Sequence, residues 1–104
     1  MAKTIKIRAK VKDGVTTVKS LITHPMETGF RKNKKTGQLI PAHFIQEVTV
    51  KHKDRVVLNC EWGTAVSKNP YLAFKFKGGA KGDPIELSWK DNKGNSDSIT
   101  AKIR

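Results

Sequence analysis

Cysteine is nearly absent from this sequence: among 104 residues, only Cys60 carries a thiol. A single cysteine excludes an internal disulfide and any metal site built from several thiolates. No apolar run approaches the roughly 20 residues that a membrane-spanning helix needs, so we expect no contact with a membrane. Charged residues alternate with apolar ones from the start of the chain, so the continuous apolar stretch of a secretion signal is missing.

Acidic residues are also few. Nine Asp and Glu stand against 21 Lys and Arg, a formal net charge of +12. The densest cationic cluster is Arg31-Lys32-Asn33-Lys34-Lys35. A charge of this size accelerates association with any acidic partner, whether nucleic acid, anionic lipid or acidic protein. The charge alone does not choose among these partners.

No segment repeats its apolar residues with the period of a helix, and the dominant period is two, which is typical of strands. At the start of the chain, Ile5, Ile7, Ala9 and Val11 alternate with lysine and arginine. This alternation predicts a strand with one buried face and one exposed face. A second strand is predicted over 17–22, and five further inward-facing sets follow: Phe44, Val48 and Val50; Val56, Leu58, Cys60 and Trp62; Leu72, Phe74 and Phe76; Ile85, Leu87 and Trp89; Ile99, Ala101 and Ile103.

About seven short strands predict an all-β fold, an immunoglobulin-like antiparallel β-sandwich, in a single domain over 1–104. Turn residues such as Asp13-Gly14 and Gly78-Gly79 separate the strands. A small closed barrel is the alternative. Residues 24–43 form one loop longer than compact domains usually hold, and such loops are usually functional or disordered. A glycine-turned hairpin around Lys35-Thr36-Gly37 would order part of this loop, which is the best candidate for a binding element.

Residues capable of chemistry form no recognisable catalytic motif. Cys60 alternates with Leu58 and Trp62 on the apolar side of a strand, which favours core packing over reactivity. No histidine can be paired with a carboxylate from sequence spacing alone. We therefore predict that the chain is not an enzyme and has no catalytic residues and no cofactor.

Two other functions remain as alternatives. A small basic β-domain could bind nucleic acid, but the period of two turns most aromatic rings inwards and leaves Phe30 and Tyr71 as exposed rings for base stacking. A copper site could use His24, Met26 and His43, which share the long loop, although no short spacing pairs them. The simplest interpretation of the lysines is a set of solvated strand faces that discourage edge-to-edge association. We predict no metal site and no nucleic-acid partner.

Three motifs in order resemble the SoxZ family of bacterial sulfur-oxidising (Sox) systems. They are His24-Pro-Met-Glu-Thr-Gly-Phe-Arg-Lys32, Leu39-Ile-Pro-Ala-His-Phe-Ile45 and Gly63-Thr-Ala-Val-Ser-Lys-Asn-Pro-Tyr-Leu-Ala-Phe74. The segment Leu87-Ser-Trp-Lys-Asp-Asn-Lys-Gly94 is also similar, so the resemblance covers nearly the whole chain.

The resemblance implies a non-catalytic subunit of the SoxYZ sulfur carrier of thiosulfate oxidation. In this carrier, the heterodimer partner SoxY bears a C-terminal Gly-Gly-Cys-Gly-Gly arm, whose cysteine holds sulfur intermediates covalently and visits SoxXA, SoxB and SoxCD. The present sequence ends at Ile103-Arg104 without that arm, as expected of the SoxZ family, and Cys60 matches no carrier motif. Without a signal of its own, the chain is expected to reach the periplasm with SoxY, through the partner's twin-arginine signal.

Contacts with SoxY or with the visiting enzymes are expected from the long loop and the start of the fifth strand. There, apolar anchors would be surrounded by a cationic rim. The residues expected to make these contacts are Met26, Phe30, Arg31, Lys32, Ile40 and Tyr71.

Overall fold

Strands account for all the regular structure of the computed structural model, which describes residues 4–64, 66 and 68–104. The seven strands are β1 (Ile5–Lys12), β2 (Val15–Ile22), β3 (Ile45–His52), β4 (Arg55–Glu61), β5 (Tyr71–Lys77), β6 (Pro84–Asp91) and β7 (Ser96–Lys102). The predicted all-β fold is confirmed. The described residues contain no helix with the length and hydrophobicity that crossing a bilayer requires.

The strands form two antiparallel sheets, ordered β1-β2-β5 and β4-β3-β6-β7. The edge strands β1 and β7 lie next to each other, and inward side chains of both sheets share one core between them. This arrangement is the predicted immunoglobulin-like sandwich. The closed barrel is not formed, because the two sheets remain separate ladders.

The core follows the predicted alternation along most strands. On β1, Ile5 and Ala9 are buried while the intervening lysine and arginine side chains are exposed. On β2, two inward positions are polar: the Thr16 hydroxyl donates to Gly78 O at 2.7 Å and the Ser20 hydroxyl donates to Leu72 O at 3.0 Å. These bonds satisfy hydroxyl groups that would otherwise be costly to bury. The core side chains with no exposed surface are Val18, Ile22, Ile45, Val48, Val50, Ile85 and Leu87.

Two β-bulges break the predicted alternation in the second sheet. The register between β3 and β6 shifts between Ile45 and Glu47, so Ile45 is fully buried although the alternation pointed to Phe44. The register between β3 and β4 shifts between Val50 and Lys51. As a result, Val56 is 50% exposed, and the prediction that it faces the core is wrong. An extra residue in one strand reverses the faces of the residues beyond it.

The long loop forms a hairpin of its own, here called the 27–43 hairpin. Bridges join Glu27 to His43 and Lys32 to Leu39. Its turn is closed by the Gly37 N–H, which donates to Asn33 O at 2.8 Å, and Gly37 has a φ of +72°, which glycine adopts at little cost. The predicted glycine-turned hairpin is confirmed. The molecule is 54 Å long, about twice the length of an eight-residue strand, because this hairpin extends beyond the sandwich.

Candidate partner-binding site

The 27–43 hairpin presents large apolar side chains to solvent. Phe30 is 83% exposed and Leu39 is 57% exposed. Arg31 lies beside Phe30, and its guanidinium donates to both carboxylate oxygens of Glu27, with Nη2 at 2.7 Å from Oε2. This hydrogen-bonded pair lowers the pKa of Glu27 below its usual value and restrains Arg31 next to the exposed ring. The hairpin therefore combines apolar anchors with one restrained cation, Arg31.

A second exposed apolar pair lies on the outer face of the first sheet. Tyr71 is 63% exposed and Leu21 is 41% exposed, and the two are partners in the β2–β5 register. The start of β5 is tied to the base of the hairpin, since Ile22 N donates to Pro70 O and Asn69 N donates to His24 O, each at 3.0 Å. Tyr71 therefore lies at the same end of the sandwich as the hairpin.

Five of the six residues expected to contact a partner lie at or near the surface of this end. Phe30, Arg31 and Lys32 are exposed on the hairpin, Ile40 is half-buried there, and Tyr71 is exposed at the start of β5. Sequence reasoning missed Leu39 and Leu21. Leu39 pairs with Lys32 in the hairpin, so it could have been found in the sequence as the partner of a residue already expected to contact SoxY or the visiting enzymes. Leu21 is revealed only by its pairing with Tyr71 between β2 and β5. Ala65 and Ser67 of the third motif lie outside the described residues.

Met26 does not belong to the exposed set, because the structure buries it. Its side chain is 4% exposed within the core, and its sulfur accepts the N–H of Ile45 at 3.3 Å. Its φ of +48° is unusual for a residue with a side chain. This conformation turns the chain at the base of the hairpin, so we assign Met26 a structural role there and remove it from the accessible anchors.

Two histidines and one aspartate meet beneath the hairpin. The Nε2 atoms of His24 and His43 lie 3.1 Å and 2.7 Å from Asp91 Oδ2. The other carboxylate oxygen accepts the backbone N–H groups of Lys93 and Asn95 at 3.0 Å and 2.8 Å. Burial by itself raises the pKa of Asp91, but the hydrogen bonds from His24, Asn95 and His43 outweigh burial and hold that pKa well below its usual range. The cluster thus joins both ends of the hairpin to the β6–β7 turn.

These three side chains have the composition of a metal site, since their ligand atoms lie within 4.8 Å of one another. The hydrogen bonding of His24 argues against ligation. Its Nδ1 accepts the N–H of Met26 at 3.1 Å, so in a neutral ring the proton lies on Nε2 and is donated to Asp91. A neutral His24 ring that bound a metal through Nε2 would carry its proton on Nδ1, so Nδ1 could no longer accept the N–H of Met26. The copper alternative fits no better, because the sulfur of Met26 accepts the Ile45 amide.

The same cluster is poorly arranged for acid–base catalysis. Both ring nitrogens of His24 are already engaged, one with Met26 and one with Asp91. An open cavity of about 440 Å³ borders the cluster and is lined by Thr4, Trp89 and Asp97 among others. The Thr4 hydroxyl there donates to Asp97 and accepts from Trp89 Nε1 at 3.2 Å. Thr4, Trp89 and Asp97 are therefore joined to one another by hydrogen bonds beside the cavity.

The histidine–carboxylate pairs could not be found from sequence spacing. His24 and Asp91 are 67 residues apart, and His43 and Asp91 are 48 apart. A further pair joins His52 Nε2 to Asp83 Oδ2 at 2.8 Å, and this bond lowers the pKa of Asp83. Cys60 is half-buried on β4 and packs against the core, consistent with its interpretation as a small apolar residue.

A comparison of the sequence with known protein families identifies a relationship that covers nearly the whole chain. The family model described as "Sulphur oxidation protein SoxZ" matches residues 5–102. No curated protein matches the chain. The family match extends across all seven strands, the 27–43 hairpin and the histidine–aspartate cluster at its base. The chain therefore belongs to the SoxZ family and has a role in sulfur oxidation.

Proposed function

We propose that this chain is the non-catalytic subunit of a heterodimer with SoxY, the protein whose C-terminal cysteine carries the sulfur intermediates. In this proposal the chain helps to present the cysteine arm to SoxXA, SoxB and SoxCD. The observation that carries the proposal is the 83% exposure of Phe30 on a hairpin that extends beyond the sandwich. Within the SoxZ family, such a hairpin is suited to hold a protein partner.

The surface chemistry of this end supports a protein interface. Phe30, Leu39 and Tyr71 are large apolar side chains exposed at one end of the molecule. Aromatic residues and arginine are enriched in protein interfaces, and tyrosine and arginine are enriched among binding hot spots. A stable interface buries roughly 800 Å² on each partner. The total surface of this chain is 7106 Å², so an interface of that size would cover about one tenth of it. One end of the sandwich can supply this area.

We propose that the chain is not catalytic, because its potentially reactive side chains are already bonded to one another or packed against the core. His24, His43 and Asp91 bond to one another, and Cys60 packs against the core. Sulfur chemistry would then belong to the cysteine of SoxY, and the present chain would hold and orient that partner. We also propose that the chain works in the periplasm, where it would arrive together with SoxY.

Co-expression with SoxY tests the proposal directly. We expect the two chains to co-elute from size exclusion as a one-to-one pair, identified by intact mass. Phe30→Ala and Tyr71→Ala should each weaken the pair by roughly 30-fold or more, because truncating a hot-spot aromatic typically costs at least about 2 kcal/mol.

Val56→Ala is a matched control for these variants. Val56 is also an exposed apolar residue, at 50%, but it lies at the start of β4, at the opposite end of the sandwich. We expect this variant to bind SoxY within about 2-fold of the unmodified chain, since substitutions away from hot spots are close to neutral. Separate elution of the unmodified chain and SoxY would contradict the proposed function. Equal affinities for all three variants would remove Phe30 and Tyr71 as anchors.

A further inference from the structure

The outer face of the β1-β2-β5 sheet is strongly and uniformly cationic. Its outward positions form four rows of strand partners: Lys6–Leu21–Tyr71, Arg8–Lys19–Ala73, Lys10–Thr17–Lys75 and Lys12–Val15–Lys77. Seven of these twelve residues are lysine or arginine and none is acidic. We call this surface the cationic face.

The outer face of the other sheet is balanced. Its outward charged residues are three acids, Glu47, Glu61 and Glu86, and three bases, Lys51, Lys90 and Lys102. If the lysines served only to keep the protein soluble, both outer faces would be expected to carry a similar excess of positive over negative charges. The asymmetry therefore calls for a specific explanation on the β1-β2-β5 side.

The charges of the cationic face lie close enough to act together. Outward residues on one strand are about 6.7 Å apart and neighbouring strands are about 4.8 Å apart. These spacings are below the screening length of about 8 Å at physiological salt, so the fields of adjacent side chains add. Among the ion pairs found in the described part of the chain, none includes a side chain of this face.

Aromatic placement argues for a protein ligand over a nucleic acid. Single-stranded nucleic acids are held by exposed rings on which the bases stack. On β5, Phe74 and Phe76 turn inwards and pack against the core, which leaves lysine and alanine beside them on the outer side. Tyr71 is the one ring among the rows of the cationic face, and it pairs with Leu21 at one end. This apolar pair next to a charged surface resembles the boundary between the core and the polar rim of a protein interface.

We infer that the cationic face docks the acidic surface of a protein that visits the heterodimer. The inference rests on the proposed function and deepens it by naming the charge and location of the second contact. Opposite charges on two proteins raise the association rate by about 10- to 1,000-fold, and the effect weakens with salt. A carrier that must meet several enzymes in turn benefits from fast, salt-sensitive encounters.

Two triple variants with equal net charge test this assignment. Arg8→Gln, Lys10→Gln and Lys19→Gln neutralise the centre of the cationic face. Lys51→Gln, Lys90→Gln and Lys102→Gln neutralise three bases on the opposite face. Each set lowers the formal charge from +12 to +9, because each substitution removes one positive charge. Glutamine keeps the side-chain length similar, so both variants should fold, which circular dichroism checks.

Each variant is purified as the pair with SoxY, and its association rate with SoxXA, SoxB and SoxCD is measured at low salt and at about 0.15 M salt. We expect the cationic-face variant to associate roughly 10-fold more slowly with at least one of these proteins at low salt. The opposite-face variant should stay within about 2-fold of the unmodified pair.

Four results would overturn the inference. Equal rates for both variants would show that the face has no docking role. Loss of pairing with SoxY in the cationic-face variant alone would make this face the SoxY interface. Tight binding of an oligodeoxythymidine at about 0.15 M salt, lost only in that variant, would assign the face to nucleic acid. Failure of the unmodified chain to pair with SoxY would overturn the proposed function and this inference together, whereas the other three results leave the proposed function standing.

Discussion

Asp91→Asn is the most informative perturbation of the base of the hairpin. Asp91 is 4% exposed and its Oδ2 accepts ring N–H groups from His24 and His43 at 3.1 Å and 2.7 Å. Asparagine has the same shape and can still accept the backbone amides of the β6–β7 turn. It would, however, present an NH₂ group to the side-chain N–H donors of His24, His43 and Asn95. The Met26 bond to Nδ1 prevents His24 from relieving this conflict by moving its proton.

The expected loss of stability follows from these contacts. A hydrogen bond to a charged group contributes about 1.5–3 kcal/mol, and the substitution removes the charged acceptor of three such bonds. We therefore expect Asp91→Asn to lower the free energy of unfolding by about 3–5 kcal/mol, the range found when one member of a buried charged pair is removed. For a domain of this size, a loss of 3 kcal/mol lowers the melting temperature by about 12–24 °C.

Urea unfolding at neutral pH measures this loss. Trp89 fluorescence is a suitable signal, because its ring lies 5.2 Å from that of His24. The control is Asp54→Asn in the exposed β3–β4 turn, which should change stability by less than about 0.5 kcal/mol.

Acid unfolding provides an independent check on the charge of Asp91. The pKa of Asp91 is lower in the folded state than its unfolded value of about 3.9. Its contribution is therefore present above that pH and is lost as the pH falls towards the folded-state pKa. We expect the stability gap between the unmodified chain and Asp91→Asn to narrow below about pH 4. A loss below about 0.5 kcal/mol at pH 7, or a gap independent of acid, would refute the network described here.

Two further predictions concern other parts of the sandwich. Gly79→Ala should destabilise the protein by about 2–4 kcal/mol in thermal unfolding, because its φ is +88° and the new Cβ would overlap the Thr16 hydroxyl. Gly82→Ala, with a similar φ of +90° and open space around it, should cost only about 1–2 kcal/mol, and equal losses would show that the overlap is relieved. Cys60→Ala should leave thiosulfate-dependent turnover of the reconstituted system unchanged, and loss of turnover in a folded variant would contradict its core-packing role.

Much of the fold was predictable because strand alternation is a local property. The alternation of Ile5 and Ala9 with charged residues, and the Asp13-Gly14 turn with φ values of +53° and +75°, depend on neighbours in the chain. The bulges were not predictable. Nothing in the local pattern marks Ile45 as buried or Val56 as exposed, because a bulge is defined by its partner strand.

The candidate partner-binding site was likewise predicted only in part from the sequence. A long loop over 24–43 with a glycine-turned hairpin around Lys35-Thr36-Gly37 was predicted from loop length and turn residues. Phe30 was expected to be exposed because the strand alternation turns most other rings inwards. The burial of Met26 was missed, because an apolar residue in a loop gives no sign of whether the loop folds back onto the core. The exposure of Tyr71 was predicted from the alternation, but its pairing with Leu21 required the β2–β5 register.

The class of fold, the seven strands, the positive charge and the resemblance to the SoxZ family could all be inferred from the amino-acid sequence, since each depends on residue types and short-range order. The way in which distant residues combine became visible only in the folded chain. It joined His24 and His43 to Asp91 across 67 and 48 residues, and it placed the cations of three strands on one face. Such contacts depend on which strands pair and in which register, and pairing and register are set by the packing of the whole folded chain.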